Sequence, residues 1–130
     1  MSNRNEEIKK WRPTIKSINT ELDSGDTELF QNEVLRPILK FQNDLLLTLF
    51  SDNRKKYKVD FKNLSTEERL SYTDKSIKQD SKFRALLIGA IVGLFSLEEY
   101  HTYSKESSVM NRRIVTMLVQ RFQDQLELLQ

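Results

Sequence analysis

Along the chain, hydrophobic and polar positions alternate with a helical period, except in one stretch that has no polar side at all. From Ala85 to Phe95, eleven consecutive residues lack a polar side chain. Phe83, Leu86, Leu87, Ala90, Ile91 and Leu94 fall at the i, i+3, i+4, i+7 spacings of a helix. The pattern therefore predicts a central helix over residues 83–95, wrapped by the rest of the fold on nearly all sides. Gly89 and Gly93, four apart, leave one face of it bare and predict that another helix of the same chain approaches closely there.

Weaker stripes flank this helix. Ile8, Trp11, Ile15, Ile18 and Leu22 alternate spacings of three and four, the seam of a helix against a single partner. Pro13 interrupts that seam. Either a helix begins near Arg12 with the proline in its first turn, or an earlier turn stands apart, or residues 1–25 form an arm held by docking of Trp11. A helix follows from about Thr27 to Phe50, with Phe30, Val34, Ile38, Phe41, Leu45 and Leu49 as its stripe. The stripe keeps its phase across Pro37, which predicts a kink near Arg36 and not a break. Residues 51–64 read as the longest irregular connection, pinned by Val59, Phe61 and Leu64, with the helix able to run on to Lys56.

Local stop and start signals divide the second half. Ser65-Thr-Glu-Glu68 and Ser96-Leu-Glu-Glu99 both have the capping-box spacing, and Phe95 with Tyr100 fits a hydrophobic staple around the second. Asp80 or Ser81 is placed to cap the central helix. A last helix over residues 109–129 carries Met110, Ile114, Leu118, Phe122 and Leu126 as its stripe. The sum is an all-α, single-domain bundle of five or six helices over residues 26–130, preceded by the 1–25 arm or amphipathic helix. The 27–50 and 109–129 helices are expected on either side of the central one.

Composition changes this picture little. The 130 residues suffice for one packed domain, and with no cysteine there are neither disulfides nor thiolate metal sites. The opening Met-Ser-Asn-Arg-Asn-Glu-Glu leads into no apolar run, so a cytoplasmic protein is expected. The apolar stretch would extend only about 17 Å at ~1.5 Å per residue, against about 30 Å of hydrocarbon, so no membrane span is expected. The net charge of +2 is unevenly spread: residues 51–62 carry five Lys/Arg and two Asp/Glu, while the remainder is close to neutral.

Candidate chemistry is correspondingly thin. Arg54, Lys55, Lys56 and Lys58 with Lys62 mix cations with Tyr57 and Phe61, the composition that phosphate contact plus base stacking requires. That segment is the candidate for nucleic-acid or anionic-surface binding. His101, the only histidine, has Glu98 and Glu106 nearby but lacks the three or four ligands of a firm metal site, and it reads more simply as solvated or core-edge. Glu67-Glu68 and Glu98-Glu99 are adjacent pairs that do not face one another on a helix, so they make poor acid–base dyads. Asn111-Arg112-Arg113 and Arg121 read as surface ion-pairing residues. No catalytic residue and no cofactor is assigned.

More apolar positions are present than one bundle face holds. Ile8, Trp11 and Ile15 on the first seam, with Val109, Met117 and Leu128 outside the last stripe, are candidates for a partner surface. The leading functional reading is thus a protein-interaction or regulatory module that binds a protein partner or self-associates, with the alternative that the 1–25 seam covers those positions within one monomer.

Several spaced motifs carry a family resemblance: Leu35-Arg36-Pro37-Ile38 with Gln42-Asn43-Asp44-Leu45-Leu46, Lys82-Phe83-Arg84, Gly89 and Gly93, Glu98-Glu99-Tyr100 with Tyr103, and Asn111-Arg112-Arg113-Ile114 with Met117 and Arg121. Over roughly residues 28–127 the chain resembles a family of small all-helical proteins from flavobacteria and their relatives, sometimes labelled "glyoxalase". The resemblance implies a helical bacterial protein and assigns no functional residue. The label would imply a metal-dependent lyase. Glyoxalase I, however, is built of βαβββ modules with a metal held by two His and two Glu, and this chain has one His and no strand-like alternation.

Overall fold

The computed structural model describes residues 3–12 and 26–129, and every regular element among them is a helix. In chain order these are α1 (Arg4–Trp11), α2 (Asp26–Phe30), a π-helical turn (Gln31–Leu35), α3 (Arg36–Phe41), α4 (Asn43–Lys56), α5 (Thr66–Lys78), α6 (Ser81–Val92), α7 (Leu97–Lys105) and α8 (Ser107–Gln123). Single turns of 3-10 helix lie at Phe61–Asn63 and Leu126–Leu128. The protein is an all-α, single-domain bundle. It has more helices than five or six because the predicted 27–50 helix is subdivided.

Pro37 governs that subdivision. It has no N–H for the Glu33 carbonyl, and its ring crowds the preceding turn. The backbone answers with a wider turn in which the Arg36 N–H reaches Gln31 O, five residues back. The helix does not break, and Pro37, Ile38 and Leu39 stay buried, but the predicted stripe loses its phase after Ile38: Phe41 and Leu45 are exposed and Leu46 and Phe50 are buried in their place. A second irregularity at Gln42 separates α3 from α4, which then runs on to Lys56 as expected.

The core forms where α4, α5, α6 and α8 meet. Phe50 is its hub: the Phe61, Tyr72, Phe83 and Phe122 rings lie 6.3, 6.1, 6.3 and 5.0 Å from it. Met110, Ile114, Leu118 and Phe122, four of the five residues in the predicted last stripe, are buried along α8. Phe61 is fully buried, and Val59 and Leu64 are partly so; the 57–64 connection is thus anchored where the sequence placed its anchors.

Local capping chemistry is formed as read. Ser65 Oγ accepts from the Glu68 N–H while Glu68 Oε1 accepts from the Ser65 N–H, and Ser96 and Glu99 do the same. Asp80 caps α6 by accepting from the Phe83 N–H. The staple is different. Phe95 stacks edge-on with Tyr103 at 5.6 Å and with Phe30 at 5.5 Å, leaving Tyr100 half exposed.

Three further expectations are corrected. The central helix ends at Val92 and not at Phe95, because Ser96 must be extended to close its capping box, which draws Leu94 and Phe95 out of the helix. Nor is it wrapped on nearly all sides: only Phe83, Leu87 and Ile91 are buried along it, and Leu86 is 53% exposed. At Gly89 an added Cβ would meet nothing within 4 Å, so no helix among the described residues approaches the bare face. The cause is neighbour geometry, since α4, α5 and α8 are the helices packed most extensively on α6 and they leave Ala85, Leu86 and Gly89 exposed.

The N-terminal element also differs. α1 ends at Trp11, and Arg12 turns to an extended ψ of 148°, as the residue before a proline is obliged to do. Trp11 is 68% exposed and anchors nothing. Polar groups hold α1 instead. Arg4 donates to Phe95 O and Gly93 O, Arg12 donates to Leu94 O and to Glu99, and Asn5 Oδ1 accepts from the Leu97 N–H. Guanidinium groups thus meet carbonyls at the C-terminal end of α6, where the helix dipole favours positive charge. The seam positions Ile15, Ile18 and Leu22 lie outside the described residues.

Candidate functional site

The basic segment is divided by burial. Arg54 is only 8% exposed and donates from Nη1 to Val59 O at 2.8 Å, closing the end of α4 onto the connection that follows. Its guanidinium carbon lies 6.0 Å from the Phe61 ring centroid, with that of Arg69 at 5.4 Å from the same ring. Phe61 is therefore enclosed by two cations and closed to base stacking. Lys55, Lys56, Lys58 and Lys62 are exposed, and Lys58 takes a left-handed φ of 57° at the turn. Tyr57, also exposed, donates its hydroxyl to Asp80 Oδ2 at 3.2 Å; that hydrogen bond and the Asp80 charge raise the phenol pKa. Arg54 belongs to the scaffold, and only the four lysines face solvent.

His101 is exposed, with its ring 6.3 Å from that of Tyr100. Among the described residues no three His, Cys, Asp or Glu side chains come together as a metal site.

Of the residues marked for a partner surface, those described lie on separate elements: Ile8 and Trp11 on α1, Val109 and Met117 on α8, and Leu128 beyond its end. Ile8 is half-buried under α1 and Trp11 is exposed beside it, while Ile15 lies outside the described residues. Val109 is exposed at the start of α8, Leu128 is exposed in the 3-10 turn beyond its end, and Met117 packs against the core between them.

Other apolar side chains are exposed on the neighbouring helices α4 and α6. α4 and α6 run antiparallel, with the Gln42 side chain donating to Ala90 O at 2.9 Å and the Phe50 and Phe83 rings 6.3 Å apart. Leu45 and Leu86 therefore come level along this pair, and both are about half exposed, as is Phe41. Ala85 and Gly89 are also exposed on α6. The sequence signalled this exposure only through the length of the apolar run, which periodicity read as burial.

The arginines elsewhere that donate side-chain hydrogen bonds fall into two groups. Arg4, Arg12, Arg69 and Arg84 donate to backbone carbonyls at helix ends and turns, as Arg54 does. Arg113 and Arg121 donate instead from α8 to neutral side-chain amides, at Gln31 of the π-helical turn and at Asn43 at the start of α4. The ion pairs among the described residues are Lys10–Glu7, Arg12–Glu99 and Lys78–Asp74, and none involves these two.

No family model, curated protein or solved structure matches the chain. No helix among the described residues is long and apolar enough to cross a membrane.

Proposed function

We propose that this protein is a self-associating interaction module, and that a second copy of the chain covers the outward face of α6. The observation that carries the reading is Leu86, 53% exposed on a helix without a polar side chain from Ala85 onward. Exposed contiguous apolar surface of this kind marks association sites.

The occupant follows from shape. One turn from the projecting Leu86 lies Gly89, where the space a Cβ would take is open. A knob and a notch on the same face meet the requirement of a two-fold interface, in which each copy presents the same surface to the other. Leu86 of either copy seats against Gly89 of its partner, with Leu45 and Phe41 closing the flank. Arg84, the one charged side chain within α6 beyond Lys82, is drawn away to Ile77 O and Lys78 O, so like charges do not oppose the pairing. A specific pair buries about 1,000 Å² or more in total, which the α4 residues help supply.

Sedimentation equilibrium at tens of micromolar decides it. The wild type is expected as a dimer, and Leu86→Glu as a monomer of unchanged helicity. A monomeric wild type, or a Leu86→Glu dimer, rules the reading out.

A further inference from the structure

From the groove between the π-helical turn and α8, we infer a binding site for a small phosphate monoester, held by Arg36 and Arg121. The groove has a volume of about 490 Å³, within the range of small-molecule sites, and is lined in part by Gln31, Arg36, Thr116, Met117, Arg121 and Gln125.

Local structure brings these residues together. In an α-helix, residues five apart point about 140° away from one another around the axis. The widened turn forced by Pro37 stacks Arg36 above Gln31 instead, joined by the Arg36 N–H to Gln31 O bond, and both then line the groove. A π-turn of this kind within an α-helix recurs at functional sites. On the other wall, Asn43 Oδ1 accepts from Arg121 Nη1 at 3.1 Å and from Gln125 Nε2 at 2.9 Å, which sets the guanidinium in place. Arg113 Nη1 donates to Gln31 Oε1 at 2.9 Å and so fixes the amide of one lining residue.

The charge is otherwise unaccounted for. A guanidinium has five N–H donors, and among the described residues Arg121 uses one and Arg36 none. Arg121 is partly buried, and that burial lowers its pKa, with the Asp124 charge opposing the change. Asp124 also lines the groove, but its Oδ1 accepts from Gln120 Nε2 at 2.9 Å and no ion pair with Arg121 forms. Two guanidinium forks facing one concavity match the oxygens of a phosphate, which each can engage with two parallel bonds. Met117 and Leu39, on the same lining, suit an apolar arm beyond the phosphate.

The test is a titration of the full chain with phenyl phosphate, followed by amide chemical shifts at low ionic strength, with inorganic phosphate and phenol as separate arms. Saturable shifts at Gln31, Thr116 and Gln125 are expected with phenyl phosphate, weaker ones with inorganic phosphate and none with phenol. Arg36→Gln, at an exposed position, should weaken binding about tenfold while leaving the free protein's spectrum intact elsewhere. Arg121→Lys, which keeps the charge and removes the fork, should weaken it as well. Absence of saturable shifts, equal responses in both variants and the wild type, or shifts centred away from this groove would each overturn the assignment.

Discussion

Arg12 Nη2 lies 2.6 Å from Glu99 Oε2, and this contact ties α1 to the first turn of α7 across 87 positions of chain. Glu99 already closes the Ser96 capping box, so one carboxylate serves the start of a helix and the docking of another. Burial disfavours its charge, yet the hydrogen bonds from Arg12 and Ser96 with the Arg12 charge outweigh that and hold its pKa below the ordinary 4.5. Because the folded pKa is depressed, the stabilisation is complete above about pH 4.5 and is lost as pH falls through the folded value. Glu99→Gln is expected to cost roughly 2 kcal/mol at pH 7, since it leaves the arginine without its partner. Denaturant unfolding of the variant and wild type from pH 7 to 3 checks this; the gap between them should narrow with acid.

Arg54 and its lysine neighbours should separate cleanly under mutation. Arg54→Ala removes the bond to Val59 O and the cover over Phe61, and a loss of about 2–3 kcal/mol is expected. Replacing Lys55, Lys56, Lys58 and Lys62 together by Gln should stay within about 0.5 kcal/mol of wild type, because all four are exposed. Thermal melts of the two variants suffice, and equal losses would mean that Arg54 does not pin the connection.

The two capping serines occupy different surroundings. Ser96 is 1% exposed, whereas Ser65 is open to solvent. Ser65→Ala leaves its orphan N–H to water and should cost about 1 kcal/mol. Ser96→Ala buries an unsatisfied donor at the Glu99 N–H and should cost nearer 2 kcal/mol. Comparing their urea midpoints tests the order, which is the informative quantity.

Gly89→Ala is expected to stabilise the monomer by about 0.5–1 kcal/mol, since a Cβ there meets open space and alanine is the better helix former. The same methyl partly fills the notch proposed to receive Leu86, so dimer dissociation should become easier. Unfolding at a dilution where only monomer is present, set beside sedimentation at higher concentration, reads the two effects separately. Destabilisation at high dilution would mean that a segment of the monomer packs over Gly89.

Much of the fold was determined by the sequence alone, because its signals act over three or four residues. The capping pairs Ser65 with Glu68 and Ser96 with Glu99, the Asp80 cap and the α8 stripe are relations between neighbours on one helix, and each formed as its spacing required. Pro37 was legible as a perturbation, but its form as a π-helical turn depended on keeping Val34, Leu35, Ile38 and Leu39 all buried against other helices. The candidate sites were decided only by tertiary structure. Whether Arg54 faces solvent, whether Arg12 reaches Glu99, and whether Arg36 and Arg121 share a groove depend on elements distant in sequence, and no local period encodes them. The same holds for α6, whose apolar run dictates only that its faces avoid water. That α4, α5 and α8 pack on it and leave Leu86 exposed is a matter of how many helices fit around it.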